Sequence, residues 1–467
     1  MDNKVANQSR GERHLRRALS SRHVQMLAFG GVIGVGLFYG ATVSVRLAGP
    51  SVILDFLLCG IMVAIVMRAL GEMTVADPSA GSFAMLAKRR WGDRLGFLTA
   101  GMWWFYWVAT VMSELAAIGK LIQFWAPSVP AWLPGLIALV LFTLSNLLIV
   151  RMFGEIEYWF AVLKALAIAV FMVFGLLMMA TPWLHAGSPL GVANLYAHGG
   201  FLPNGWLGAV MALSLVVQAY SGIETLGVEA AETANPKHTL QRAFRSVTWR
   251  VLVVYIGSMF VMLCAFPWTY LIHHNGSPYA LMFARAGIPI AAGLVNLIIV
   301  CSGLSSCNTG LYGGSRMLYA MARQGQLADG LARLNRRDVP HVAVWITSLA
   351  IAAGILVTYL NPNHAYVWIT SASAFASLWT WFIILLLHVT GRKTAMMGEA
   401  AARSTASHTP ILSYVGMVLL IGTFVFIVLS PLTRISVFSG VVFLLIVWIY
   451  ALVRFRGKRN DRDEPTR

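Results

Sequence analysis

Twelve long apolar runs fill almost the whole of this chain, and that pattern constrains its fold more than any other feature. They lie at roughly 24–47, 50–71, 95–125, 131–150, 155–180, 205–231, 247–270, 287–321, 342–360, 364–389, 410–430 and 435–455. Crossing a hydrocarbon core takes about 20 apolar residues in a helix, and lipid leaves a spanning segment few alternatives to one. The pattern predicts an all-α membrane protein with twelve transmembrane helices. At 58% hydrophobic and 11% charged over 467 residues, the composition excludes an ordinary soluble globule.

A net charge of +17 would suit a nucleic-acid binder, but the placement of the cations argues against one. With the N-terminus inside, only Arg46, Arg285 and Arg434 of the 35 Lys and Arg fall outside, and Lys120 and Lys164 lie within helices. That is the positive-inside bias of a multi-pass protein with both termini cytoplasmic. The organisation expected is a cytoplasmic tail (1–23), one twelve-helix membrane domain (24–455) and a second tail (456–467). Cys59, Cys264, Cys301 and Cys307 all sit inside apolar spans and read as buried small hydrophobes. His273-His274 has no ligand partners nearby, so no metal and no cofactor is expected.

Polar and flexible residues inside the spans mark the functional region. Gly30, Gly31, Gly34 and Gly36 crowd seven residues of span 1. Each glycine weakens a helix by about 1 kcal/mol relative to alanine. A loosened helix is tolerated in lipid only where it lines a cavity; the alternative is small-residue packing through Gly30/Gly34 and Gly36/Gly40. Span 6 is also interrupted, at Gln218-Ala219-Tyr220-Ser221-Gly222-Ile223-Glu224. Spans 1 and 6 open two successive groups of five, and corresponding broken helices point to a mid-membrane binding site in an inverted-repeat transporter. The repeats are placed at 24–180 and 205–389, followed by helices 11 and 12 at 410–455.

Helical periodicity puts Trp103, Trp107, Thr110 and Glu114 on one face of span 3. A carboxylate there must face the bundle, because facing lipid costs roughly 2.5–3.5 kcal/mol or more. Span 5 carries Lys164, and span 8 carries a stripe of Ser302, Ser305, Ser306, Thr309 and Tyr312. No Gly-x-Ser-x-Gly, His-Glu-x-x-His or paired catalytic carboxylates appear in a span, so an enzyme is not expected.

Several stretches carry a resemblance. Gly30-Gly31-Val32-Ile33-Gly34-Val35-Gly36-Leu37-Phe38, Met67-Arg68-Ala69-Leu70-Gly71-Glu72-Met73, Val150-Arg151-Met152-Phe153-Gly154-Glu155 and Ser315-Arg316-Met317-Leu318-Tyr319 are among them. They resemble bacterial amino acid permeases of the amino acid–polyamine–organocation superfamily, amino acid transporter family. The resemblance runs in order from about Leu15 to Val453. It implies a LeuT-like 5+5 inverted repeat plus two C-terminal helices, with helices 1 and 6 broken, in the bacterial cytoplasmic membrane. It also implies a substrate carboxylate on the backbone N–H groups of Gly34, Val35 and Gly36. The amino group would meet carbonyls of Val32, Gln218 and Ser221, beside Gly222 and Trp107, with Tyr220 as an aromatic gate. Many relatives have threonine where this chain has Val35, which removes a hydroxyl and leaves the backbone contact. Lys164 stands where proton-coupled permeases carry a lysine, so Lys164, Glu224, Glu114, Ser305 and Ser306 form the expected coupling set. The partners implied are an amino acid, a proton and the lipid bilayer; no nucleic acid is expected, and a monomer would suffice. With no acid pair free for a cationic side chain, a neutral amino acid is expected. An exchanger or uniporter on the same fold, or an amino acid-binding membrane sensor, stays open at this point.

Overall fold

A computed structural model describes residues 33–77, 82–148, 153–181, 191–226, 236–273, 277–392, 409–431 and 433–456. Every regular element among them is helical. In chain order the helices are α1 (Val35–Phe38), α2 (Gly40–Ala48), α3 (Val52–Ala76), α4 (Phe83–Trp91), α5 (Asp93–Ile122), α6 (Trp132–Leu148), α7 (Phe153–Ala180) and α8 (Gly205–Tyr220). Then follow α9 (Pro236–Ala265), α10 (Trp268–His273), α11 (Pro278–Arg285), α12 (Pro289–Arg323), α13 (His341–Leu360), α14 (Ala365–Arg392), α15 (Thr409–Leu429) and α16 (Arg434–Arg454).

Nine helices among the described residues are long and apolar enough to cross a membrane. One of these, Val35–Ala76, joins α1 through α3 across the 3-10 turn Gly49–Ser51. Trp132–Leu147 and Gly205–Tyr220 are shorter apolar helices. The fold is that of an all-α integral membrane protein.

The helix assignments depart from the apolar runs where polar sequence is helical too. α9 opens at Pro236, eleven residues before the apolar run at 247. Proline suits a first helical turn, and Lys237, Gln241, Arg242 and Arg245 are good helix formers that hydropathy alone discards. Likewise α4 forms between the apolar runs at 50–71 and 95–125. Ser82 caps it by accepting from the Met85 N–H at 3.2 Å.

α5 is the centre of the bundle and packs along both α12 and α14. The approach to α12 is close: a Cβ on Gly310 would stand 2.4 Å from Val111 Cγ2. α15 and α16 lie at the periphery. Val418, Leu429, Phe438 and Val453 there are about 70% exposed, as lipid-facing side chains must be.

Glu72 of the Arg68-Ala69-Leu70-Gly71-Glu72 motif ties three helices together at one end of the bundle. Its carboxylate accepts from Arg68 Nε at 3.1 Å and lies 2.9 Å from His388 Nε2 on α14. His388 Nδ1 in turn sits 2.9 Å from the Ser413 hydroxyl on α15. Replacing His388 with Leu removes both of these contacts, and a buried polar atom left unsatisfied costs about 1–3 kcal/mol. The expected result is a lower thermal unfolding midpoint in detergent for His388→Leu, with His388→Gln closer to wild type.

Candidate functional site

The site forms where α1 begins deep inside the bundle. Gly34 is extended (φ −107°, ψ −168°), and helical geometry starts at Val35. A helix start leaves backbone N–H groups without intrahelical partners, and lipid supplies none. The chain answers with side chains from other helices. The Val35 N–H donates to Glu114 Oε2 at 3.1 Å. The Ser302 hydroxyl donates to the Ile33 carbonyl at 2.8 Å, and Ser277 donates to Phe38 O at 3.1 Å. Gly34 leaves room for that carboxylate, since an added Cβ would fall 2.2 Å from Glu114 Oε1 and push it aside.

The second break follows α8. Ser221 is extended (ψ 148°) and Gly222 takes φ +98°, a left-handed conformation that favours glycine. The Ser221 hydroxyl donates to the Val217 carbonyl at 2.9 Å and lies 2.7 Å from the Ser377 hydroxyl on α14. Glu224 is fully buried, and its Oε2 accepts from the Gly222 N–H and from Trp381 Nε1–H, both at 3.2 Å. This acid therefore braces the break against α14.

Lys164 on α7 is also buried, and its ammonium donates to Ser305 Oγ at 3.2 Å. It stands close enough to Glu114 to act on it electrostatically. Three serines of α12 thus divide the work: Ser302 holds the start of α1, Ser305 holds Lys164, and Ser306 faces a cavity.

That cavity lies between α1, α5, α8 and α12 and has a free volume of about 10 Å³. Such a volume holds about one water and no amino acid without side-chain movement. Of the residues expected to bind substrate, Gly34, Gly36, Trp107, Gln218 and Ser221 line it, together with Glu114 and Ser306 of the coupling set. Val35 places its N–H on Glu114, and Gly222 shapes the turn. Tyr220 is not in the cavity wall. Its ring packs against Phe56 and Tyr255, and its hydroxyl donates to the Phe56 carbonyl at 2.9 Å. Lys164, Ser305 and Glu224 stand behind the wall. Val32 lies outside the described residues.

Tyr106, Thr110 and Ala219 complete the wall and were not among the expected site residues. Thr110 was within reach, being three residues from Trp107 and four from Glu114 on one helical face. Nothing in the sequence marks Ala219, which faces Gly36 across the two breaks.

Three buried polar atoms on this wall have no hydrogen-bond partner among the described residues: Trp107 Nε1, Gln218 Oε1 and Ser306 Oγ. Buried polar groups are nearly always satisfied, so each such orphan calls for a ligand or a water.

A bundle of apolar helices with a small polar cavity at two helix breaks is the make-up of a membrane transporter. The chain belongs to the amino acid permease family, whose model matches residues 23–463. It is 37% identical over 451 residues to a probable threonine/serine transporter, YbxG, of Bacillus subtilis (strain 168), covering 97% of both chains. It is 36% identical to the amino-acid permease AapA of the same organism, over 96% of this chain and 97% of that one. Identity is 34% to the aromatic amino acid transport protein AroP of Escherichia coli O6:H1, over 95% and 97%. These relatives are permeases and transporters, not enzymes.

Proposed function

We propose that the protein takes up a neutral amino acid across the bacterial cytoplasmic membrane by proton symport with alternating access. On this reading 24–455 is one transporter domain of twelve helices in a LeuT-like 5+5 inverted repeat plus two, with both termini cytoplasmic. The observation that carries it is the cavity enclosed by the two helix breaks, Gly34–Gly36 and Gln218–Ser221. Broken helices present backbone N–H groups and carbonyls that a zwitterion can satisfy. The substrate carboxylate meets the N–H groups at the start of α1, and the ammonium meets carbonyls at the end of α8. A neutral side chain is favoured because the described cavity wall carries one acid, Glu114, and no acid pair for a cationic side chain. The relatives named for threonine/serine and for aromatic amino acids carry uncharged side chains as well.

Lys164 is the coupling residue in this scheme. Desolvation favours loss of a lysine's proton, and an ammonium held by Ser305 between α7 and α12 can secure one conformation and release it when neutral. The binding geometry is tested in proteoliposomes. Amino acids should compete for uptake of the labelled substrate, and the amines left by their decarboxylation should not. Equal competition by amine and amino acid overturns the assignment of the α1 backbone to the carboxylate.

A further inference from the structure

Two levels can be distinguished in the cavity. At one, Ser306 and Glu114 lie against Gly34, with Ser306 Oγ 3.3 Å and Glu114 Oε1 2.2 Å from the place a Cβ would take. At the other, Trp107 Nε1 lies 3.8 Å from the corresponding point on Gly313. Glu114 to Trp107 on α5 is seven residues, and so is Ser306 to Gly313 on α12. Seven residues span about 10 Å of helix, so both helices place the indole N–H away from the α1 end. Between the levels stands Thr110. Its hydroxyl receives Gln218 Nε2–H at 3.3 Å and lies 2.8 Å from Ser373 Oγ.

We infer that Trp107 and Gln218 read the substrate's side chain, and that the group they read is a hydroxyl. This rests on the proposed placement of the zwitterion at the α1 end. That placement leaves the orphaned indole N–H and the orphaned Gln218 amide oxygen, on two residues of the same cavity wall, for whatever the Cα carries. The pair offers one donor and one acceptor, and a single hydroxyl can answer both, accepting from Trp107 and donating to Gln218. It would also serve if the amide were turned, by accepting from both. A carboxamide could answer both as well, but it brings a second N–H that these two groups leave unpaired. An apolar side chain leaves both groups unsatisfied, which is the situation in which a buried polar site discriminates most strongly.

The test uses pairs of amino acids that differ at the hydroxyl: threonine with valine, serine with alanine, and tyrosine with phenylalanine. Each competes against labelled substrate for the full-length protein in proteoliposomes. At least one hydroxylated member should compete tenfold or more better than its partner. Trp107→Phe and Gln218→Met, made separately, should each shrink that preference to about threefold or less while the apolar partner's inhibition constant holds. Ser306→Ala, at the zwitterion end, should weaken both members of a pair alike, and it serves if the Trp107 variant does not fold. Equal competition within all three pairs overturns the inference and means that water satisfies the orphans. A preference that survives both the Trp107 and the Gln218 changes, or asparagine competing better than every hydroxylated amino acid, also overturns it. Failure of every amino acid to compete would instead bring down the transport reading itself.

Discussion

Lys164→Met is expected to abolish accumulation of substrate against its gradient. The ammonium is buried on α7 and bonded to Ser305, and methionine keeps the side chain's length without its charge. A coupled proton contributes roughly 2.3 kcal/mol per 100 mV of membrane potential, about a fiftyfold concentration ratio. Without a group that gains and loses that proton, the ratio should fall to about one. Lys164→Arg keeps a fixed charge that does not readily deprotonate, so it should bind substrate without cycling. The measurement is uptake into proteoliposomes under an imposed pH gradient, with and without sodium. If sodium drives uptake, or Lys164→Met still concentrates substrate in response to pH, coupling passes to Glu224 or Glu114.

Gly36→Val should lose substrate binding while Gly40→Ala keeps most of it. A Cβ on Gly36 would stand 3.2 Å from Ala219 Cα, which is backbone and cannot turn aside. One on Gly40 would meet the Tyr366 hydroxyl at 2.8 Å, the far end of a side chain that can move. Overpacking typically costs about 1–3 kcal/mol, or roughly 5- to 150-fold if it falls on the bound state. At Gly36 it falls between the two breaks, so binding should suffer while expression and membrane insertion do not. Binding of labelled substrate to purified protein checks the ranking. The reverse order would mean that the glycines of α1 and α2 serve helix packing and not a site.

Periodicity made much of this site readable. The face Trp107–Thr110–Glu114 and the serine stripe of α12 both follow from 100° per residue, and both reach the cavity or the residues behind it. Glycines at Gly34 and Gly222 announced the breaks because few other residues serve there. What sequence could not supply is direction at a break. Ser221 and Tyr220 are neighbours, yet one lines the cavity and the other packs outward on Phe56. Regular spacing no longer tells which way a side chain points once the helix ends. Contacts such as Glu224 with Trp381 join residues 157 positions apart, and no local pattern encodes them. The same limit separated the apolar runs from the true ends of α9: hydropathy reports what faces lipid and says nothing of where a helix stops.

The bond from the Val35 N–H to Glu114 makes any anion arriving there a replacement, not an addition. A carboxylate that takes this N–H displaces the Glu114 oxygen from it, and the count of hydrogen bonds at that point stays the same. Affinity at α1 is then a difference between two carboxylates and depends on where the evicted one goes. Lys164 is the nearby cation able to receive it, and Lys164 belongs to α7. On the proposed placement of the substrate, filling the start of one helix would act on a charge carried by another.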